Sequence, residues 1–243
     1  MRAAPHLLLT ALLALPVAPA LGEVVFEDTF DGPAATAEGK DAPIGGSGWV
    51  SHVGLEPKSL NADGSSALVI ADDAKDRYFD AVSRSFDPIE LAEGESLRLE
   101  LTFSIGEGSW GAASIQDSRD AARFAVTDGE GEGFGVYLPG GAGSQVRLFQ
   151  AENALGGSAD GVSLASRVEP DTPTPLVLEL TRSADGFVLG GELDGQAMEP
   201  LTLDLDEPPA LSLFAATVGK ANHTLSLLDA TLTHRAGEAE EPE

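Results

Sequence analysis

The stretch "LRLELTFSI" (97–105) limits what this chain can fold into more than any other. Leu97, Leu99, Leu101, Phe103 and Ile105 take the odd positions, and Arg98, Glu100, Thr102 and Ser104 the even ones. A period of two is that of a β-strand with one face buried and one wet; a helix would scatter the same residues around its circumference. "LVLELTR" (176–182) repeats the pattern, with Leu176, Leu178 and Leu180 on one face. "FVLGGEL" (187–193) places Phe187, Leu189 and Leu193 together. Further strands are expected at 24–27, 68–71, 78–86, 123–127, 134–138, 145–150, 197–205, 211–215 and 224–233.

The segments between them are rich in Gly, Asp, Ser and Pro, as in "NADGSS", "TDGEGEG", "PGGAGS" and "GGSADG". Short strands punctuated in this way argue for antiparallel pairing rather than βαβ units. "RSADGF" (182–187) reads as a tight hairpin in which Asp185-Gly186 supply the positive-φ positions. In "TLSLLDATLT" (224–233) the alternation slips between Leu227 and Leu228, which a β-bulge would explain. Only "DSRDAARF" suggests a short helix. The fold class expected is all-β, a two-sheet antiparallel β-sandwich in a single domain.

The chain ends read differently. Met1-Arg2 precedes the apolar run "HLLLTALLALPVAPALG", which ends in small residues suited to cleavage after Ala20 or Gly22. This is the pattern of a secretory signal peptide, and the run is short and proline-interrupted for a membrane span. Residues 1–22 are therefore assigned to a signal peptide, 23–235 to the sandwich and 236–243, "GEAEEPE" included, to a disordered acidic tail. The expected location is secreted, extracellular or periplasmic, with no membrane span after cleavage.

Charge and cysteine content exclude several functions. Forty acidic residues against 14 basic give a formal charge of −26, which disfavours nucleic acid and anionic membranes. The absence of cysteine removes thiolate catalysis, disulfide exchange and Cys-ligated zinc. His52, His223 and His234 lack the spacing of a zinc hydrolase, and no nucleophile elbow or P-loop is present.

Two constellations could carry chemistry. In "LTLDLDE" (201–207), Asp204 and Asp206 share one face of an expected strand, roughly 6.5–7 Å apart, a separation used by carboxylate pairs in glycoside hydrolysis. The same spacing describes a solvated strand face, and Pro208-Pro209 end the segment. Trp110 in "GEGSWGAAS" offers an aromatic platform for a sugar ring, with Gln116, Asp117 and Arg119 near enough in sequence to bond hydroxyls. It equally suits a ring folded over the end of the sandwich.

Three stretches carry a family resemblance: "VVFEDTFDG" (24–32), "SFDPIELAEGESLRLELTFSI" with "RFAVTDGEGEGFGVYL" (85–138), and "LELTRSADGFVLGGELDG" closing with "LSLLDATLT" (178–233). In these the chain resembles the concanavalin A-like lectin and glucanase jelly rolls, in particular small secreted bacterial modules. The resemblance implies a secreted, non-catalytic carbohydrate-binding or cell-envelope module with an extracellular glycan as partner. The alternatives are a jelly-roll glycoside hydrolase or polysaccharide lyase and a structural matrix or spacer protein. Laminarinase-like relatives carry Glu-x-Asp-x-Glu or Glu-x-Asp-x-x-Glu; here the sequence is Asp-Leu-Asp-Glu, without a Glu at either required position. The resemblance also implies that the first and last strands pair. Asp28, Asp31 and Asp229 would then be candidates for a structural calcium ion, with the loop 127–133 a second.

Overall fold

A computed structural model describes residues 22–30, 35–37, 42–44, 47–52, 58–60, 67–71, 79–106, 120–139, 146–152, 163–164, 168–169, 171–205, 207–219 and 224–237. The expected signal peptide up to residue 21 and the tail from 238 lie outside the described residues. So do Asp31, Trp110, Gln116, Asp117, Arg119 and Asp206.

The strands are β1 (Glu23–Asp28), β2 (Ala35–Ala37), β3 (Ala42–Pro43), β4 (Trp49–Ser51), β5 (Lys58–Leu60) and β6 (Leu68–Ala71). They continue with β7 (Phe79–Ile89), β8 (Ser96–Ile105), β9 (Asp120–Thr127), β10 (Glu132–Pro139), β11 (Val146–Glu152) and β12 (Ser163–Leu164). The last are β13 (Thr174–Ser183), β14 (Gly186–Leu193), β15 (Gln196–Leu203), β16 (Leu211–Gly219) and β17 (Thr224–Arg235). Every strand expected from alternation is present. β2, β3, β5 and β12 were not expected: two or three residues are too few to establish a period.

Two antiparallel sheets result. A nine-stranded sheet runs β15-β14-β13-β8-β17-β6-β5-β2, with β1 also on β17; an eight-stranded sheet runs β12-β11-β10-β9-β16-β7-β4-β3. The leucines of "LRLELTFSI" face inward and are buried, as are Leu176, Leu178 and Leu180 of β13. They meet Phe124, Phe134, Val136, Leu148 and Phe214 from the other sheet in one apolar core.

Pairing along β17 resolves the slipped alternation. Leu227 faces Phe103 and Asp229 faces Thr102, so Leu228 is the extra residue of a bulge. Leu225 and Leu227 before it, and Ala230 and Leu232 after it, are thereby all buried. The opposite edge of β17 is shared: β6 occupies Thr224–Leu227 and β1 occupies Ala230–His234. The first and last strands therefore do pair.

The hairpin at 182–187 departs from expectation in one detail. Positive φ falls on Gly186 (123°), whereas Asp185 is not among the left-handed residues. The two central residues make the turn and the glycine relieves it. Left-handed backbone at two successive residues occurs one hairpin later, at Asp194 (48°) and Gly195 (75°), which join β14 to β15.

Candidate ligand-binding face

Of the residues expected to form a calcium site, Asp28 has a different role. Asp28 stands opposite Ala230, so its side chain points between the sheets rather than to solvent. There Oδ2 accepts the Trp49 indole N–H at 2.8 Å and an Arg84 guanidinium N–H at 3.0 Å, and Oδ1 accepts the Phe30 backbone N–H at 2.9 Å. That last bond holds Phe30 at φ 54° and turns the chain away from β1. Arg84, on β7, also lies over the Phe26 ring at 4.9 Å. Trp49 packs on Phe30 and Phe214, with centroids 5.6 and 5.7 Å apart. "FEDTF" is thus a clasp from one sheet to the other. With both carboxylate oxygens facing N–H donors, Asp28 is poorly suited to a cation.

Asp229 faces away from it. Its neighbour Ala230 is buried in the core, and Asp229 lies in register with Thr102 on the outer face of the nine-stranded sheet. The structure does not bring Asp28 and Asp229 together. Among the described residues no group of three His, Asp or Glu side chains is placed to hold a metal ion. The acidic loop 127–133 is held as a turn: Asp128 Oδ1 accepts the backbone N–H groups of Glu130, Gly131 and Glu132.

Asp204 lies one residue past the end of β15, which is the edge strand of its sheet, and it is exposed. The strand stops two residues earlier than expected because the main chain leaves its sheet to meet the other one. Asp204 N–H donates to Gln150 Oε1, and Gln150 Nε2 donates to Asp204 O, both at 2.9 Å. The side-chain amide of β11 thus replaces the next pair of ladder bonds.

The outer face of the nine-stranded sheet is wet, and its arginines Arg98 and Arg235 meet carboxylates. Glu179 accepts from Ser96 Oγ at 2.9 Å and Arg98 at 3.1 Å, with Arg235 at 3.4 Å; Arg98 also meets Glu100 at 3.0 Å.

The outer face of the eight-stranded sheet is of another kind. Three rows cross it in register. One runs Ala151, Gly133, Thr127, Leu213 and Ser85. The next runs Phe149, Gly135, Ala125, Ala215, Ser83 and Val50. The third runs Arg147, Tyr137, Arg123, Thr217 and Ala81, and His52 extends it through its backbone N–H to Ala81 O at 3.0 Å. None of these positions is an acid.

Most of this face is shut off from water, with Ala125 at 0 % and Ala215 at 1 % relative exposure. Small residues allow that closeness: a Cβ on Gly135 would stand 2.6 Å from the Phe149 ring. Ala125, Phe149 and Ala151 form a second apolar cluster, against which Tyr137 packs. The third row is where the face opens. Arg147 is exposed, and Tyr137 and Arg123 are half-buried, with the Arg123 guanidinium carbon 5.7 Å from the Tyr137 ring centre. Beside Arg123, Thr217 is 3 % exposed and its Oγ1 has no hydrogen-bond partner. Beyond Ala81, His52 Nε2 is hydrogen-bonded to Ser83 Oγ. Alternation identified 123–127 and 134–138 as strands. Only the pairing register could reveal that Arg123, Tyr137, Arg147 and Thr217 stand side by side.

No protein-family model matches the chain, and no curated protein matches it in sequence. Solved structures do match in fold. An endo-1,3-beta-glucanase from Streptomyces sioyaensis superposes with a TM-score of 0.54 at 14% identity, over 92% of this chain and 100% of the glucanase chain. Peanut lectin gives 0.51 at 7% identity, over 86% and 100% of the two chains. Lectin I from Ulex europaeus, solved with the methyl glycoside of alpha-L-fucose, gives 0.51 at 10% identity, over 84% and 98%. With two antiparallel sheets packed on one core and these superpositions, the chain has the concanavalin A-like jelly-roll fold.

Proposed function

We propose that this protein is a secreted, non-catalytic carbohydrate-binding module whose contact surface is the outer face of the eight-stranded sheet. The observation that carries the reading is the Arg147–Tyr137–Arg123–Thr217 row. It sets an aromatic ring and several hydrogen-bond donors side by side where that face opens to solvent. Sugars are held by such a pairing of ring face and convergent polar groups. The fold adds support of a general kind, since it occurs in lectins and in a glucanase, but fold alone does not assign function.

The non-catalytic part of the proposal draws on the acids. Hydrolysis of a glycosidic bond uses two carboxyl groups flanking it, one of them held protonated by its surroundings. Asp204 is exposed beyond an edge strand, and the three rows carry no carboxylate. Secretion rests on the N-terminal apolar run.

Affinity electrophoresis through gels containing soluble polysaccharides tests the reading. Retardation by at least one glycan, reduced tenfold or more in apparent affinity by Tyr137→Ala, is the expected result. Migration unaffected by every glycan would remove it. Release of reducing ends, abolished by Asp204→Asn, would replace it with a hydrolase.

A further inference from the structure

We infer that the signal peptide is cut after Ala20, so that the mature chain begins at Leu21 and keeps Gly22 as a packed residue of the folded protein. The inference rests on the secretion reading above and names its processing site.

The sequence offers two bonds. Ala18-Pro19-Ala20 and Ala20-Leu21-Gly22 both set small residues one and three positions before the scissile bond, which is the pattern that processing requires. Nothing in the order of residues separates them. The fold does, because Gly22 has a place in it.

β1 opens at Glu23, opposite His234, and Val24 follows opposite Thr233. Gly22, just before it, lies against the end of β17. A Cβ built on Gly22 would run into Thr233 Cγ2 and stand 2.8 Å from both Arg235 Cγ and the His234 carbonyl oxygen. Contacts that close force something to move. The carbonyl belongs to the main chain of β17, which β8 pairs on its other side as far as Arg235. The Arg235 side chain in turn reaches Glu179 at 3.4 Å. Neither neighbour yields without disturbing a paired element, so a larger residue at position 22 strains the sheet. Glycine is otherwise the least favourable residue to order in extended chain, and it stands here because nothing larger fits. A residue discarded with the signal peptide would never meet β17, and its side chain would be of no consequence to the fold.

Charge argues the same way. A cut after Gly22 puts the new α-ammonium on Glu23, the first paired residue of β1, beside the Arg235 side chain. A cut after Ala20 moves that charge two residues further along the chain, up to roughly 7 Å away.

The test is expression of the full chain from Met1 in a Gram-negative bacterium, with intact mass and N-terminal sequencing of the protein in periplasm and medium. The expected product begins at Leu21; the alternative is lighter by Leu-Gly. Gly22→Val is processed at the same bond, since it changes neither Ala18 nor Ala20, and its mature product melts roughly 3 °C or more below the wild type. A product that begins anywhere else, at Glu23 above all, overturns the inference and leaves secretion standing. An unchanged melting temperature in the Gly22→Val product removes the packed role of Gly22 and overturns the inference too. A chain that keeps Met1 and stays in the cytoplasm overturns the secretion reading together with it. If Gly22→Val does not fold, the wild-type N-terminus decides alone.

Discussion

The two outer faces of this sandwich are made by the same backbone geometry and differ in nearly everything else. On the nine-stranded sheet charged residues alternate with Ser and Thr at the outward positions, and Glu179 serves Arg98 and Arg235 while Glu100 serves Arg98 again. On the eight-stranded sheet many outward positions are Gly, Ala, Ser or Thr, with Phe149, Tyr137, Arg147 and Arg123 toward one side. The first face meets its arginines with carboxylates of its own. The second spends its positions on closeness, with Tyr137, Arg123 and Arg147 side by side in its third row. One face is solvated and carries ion pairs across neighbouring strands; the other is largely closed to water by small residues packed against aromatic rings.

Placing the same charge on both faces should break the comparison most sharply. Ala215→Lys inserts an ammonium where the side chain is 1 % exposed, and a loss of several kcal/mol is expected by chemical denaturation. Thr102→Lys, on the opposite outer face, should change stability by no more than about 0.5 kcal/mol. Similar costs at the two sites would mean that the eight-stranded face is not closed.

The next largest effect concerns what holds the faces apart. Asp28→Ala deprives the Trp49 indole and the Arg84 guanidinium of their shared acceptor between the sheets. A loss of about 3 kcal/mol is expected. Asp229→Ala, one sheet face away, should cost under about 0.5 kcal/mol, as measured in the same urea titrations.

Thr217→Val sharpens the contrast in the other direction. Removing an unpartnered buried hydroxyl without changing shape should leave stability unaltered or raise it by up to about 1 kcal/mol, while weakening glycan retardation. A clear loss of stability would show that the hydroxyl is already satisfied.

The smallest effect lies at the rim of the wet face. The Ala92 backbone N–H, and after it His234, hold the Glu95 carboxyl below its ordinary value of 4.5. Because the folded form binds its proton less readily, the stabilisation is complete above the unfolded value. It is lost as pH falls through the lower folded one. Between pH 5 and pH 3, Glu95→Gln should therefore flatten the decline in melting temperature slightly, by the equivalent of about 0.5 kcal/mol. An unchanged acid limb would remove Glu95 from the account.

Much of the fold was legible from residues alone, because period two is a local property. The leucines of β8 and β13 announced their faces, and the slip at Leu227-Leu228 announced its bulge. Turn chemistry was read less securely: Asp185 and Gly186 were both expected to be left-handed, and only the glycine is. The functional candidates were weaker still. Sequence reasoning went to acids, since carboxylates two apart or near a chain end suggest chemistry. Asp28 turned out to be an inter-sheet acceptor, and Asp204 to be a residue past a strand end whose main chain is clasped by Gln150. Nothing in the order of residues signalled Arg123, Tyr137 and Arg147 as neighbours, for they come from three strands.

By itself the sequence determined the class of fold, the buried side of each long strand, the chemistries ruled out by missing cysteine, and an acidic surface. Alternation and composition are enough for these, since each depends on residues adjacent in the chain or on totals. The tertiary structure alone decided that Arg98 and Arg235 meet Glu179 on one outer face and that the other presents a row of arginine, tyrosine and threonine. That outcome is set by strand order and register, where a shift of one residue would turn Arg123 and Tyr137 into the core and expose Phe124 and Val136 in their place.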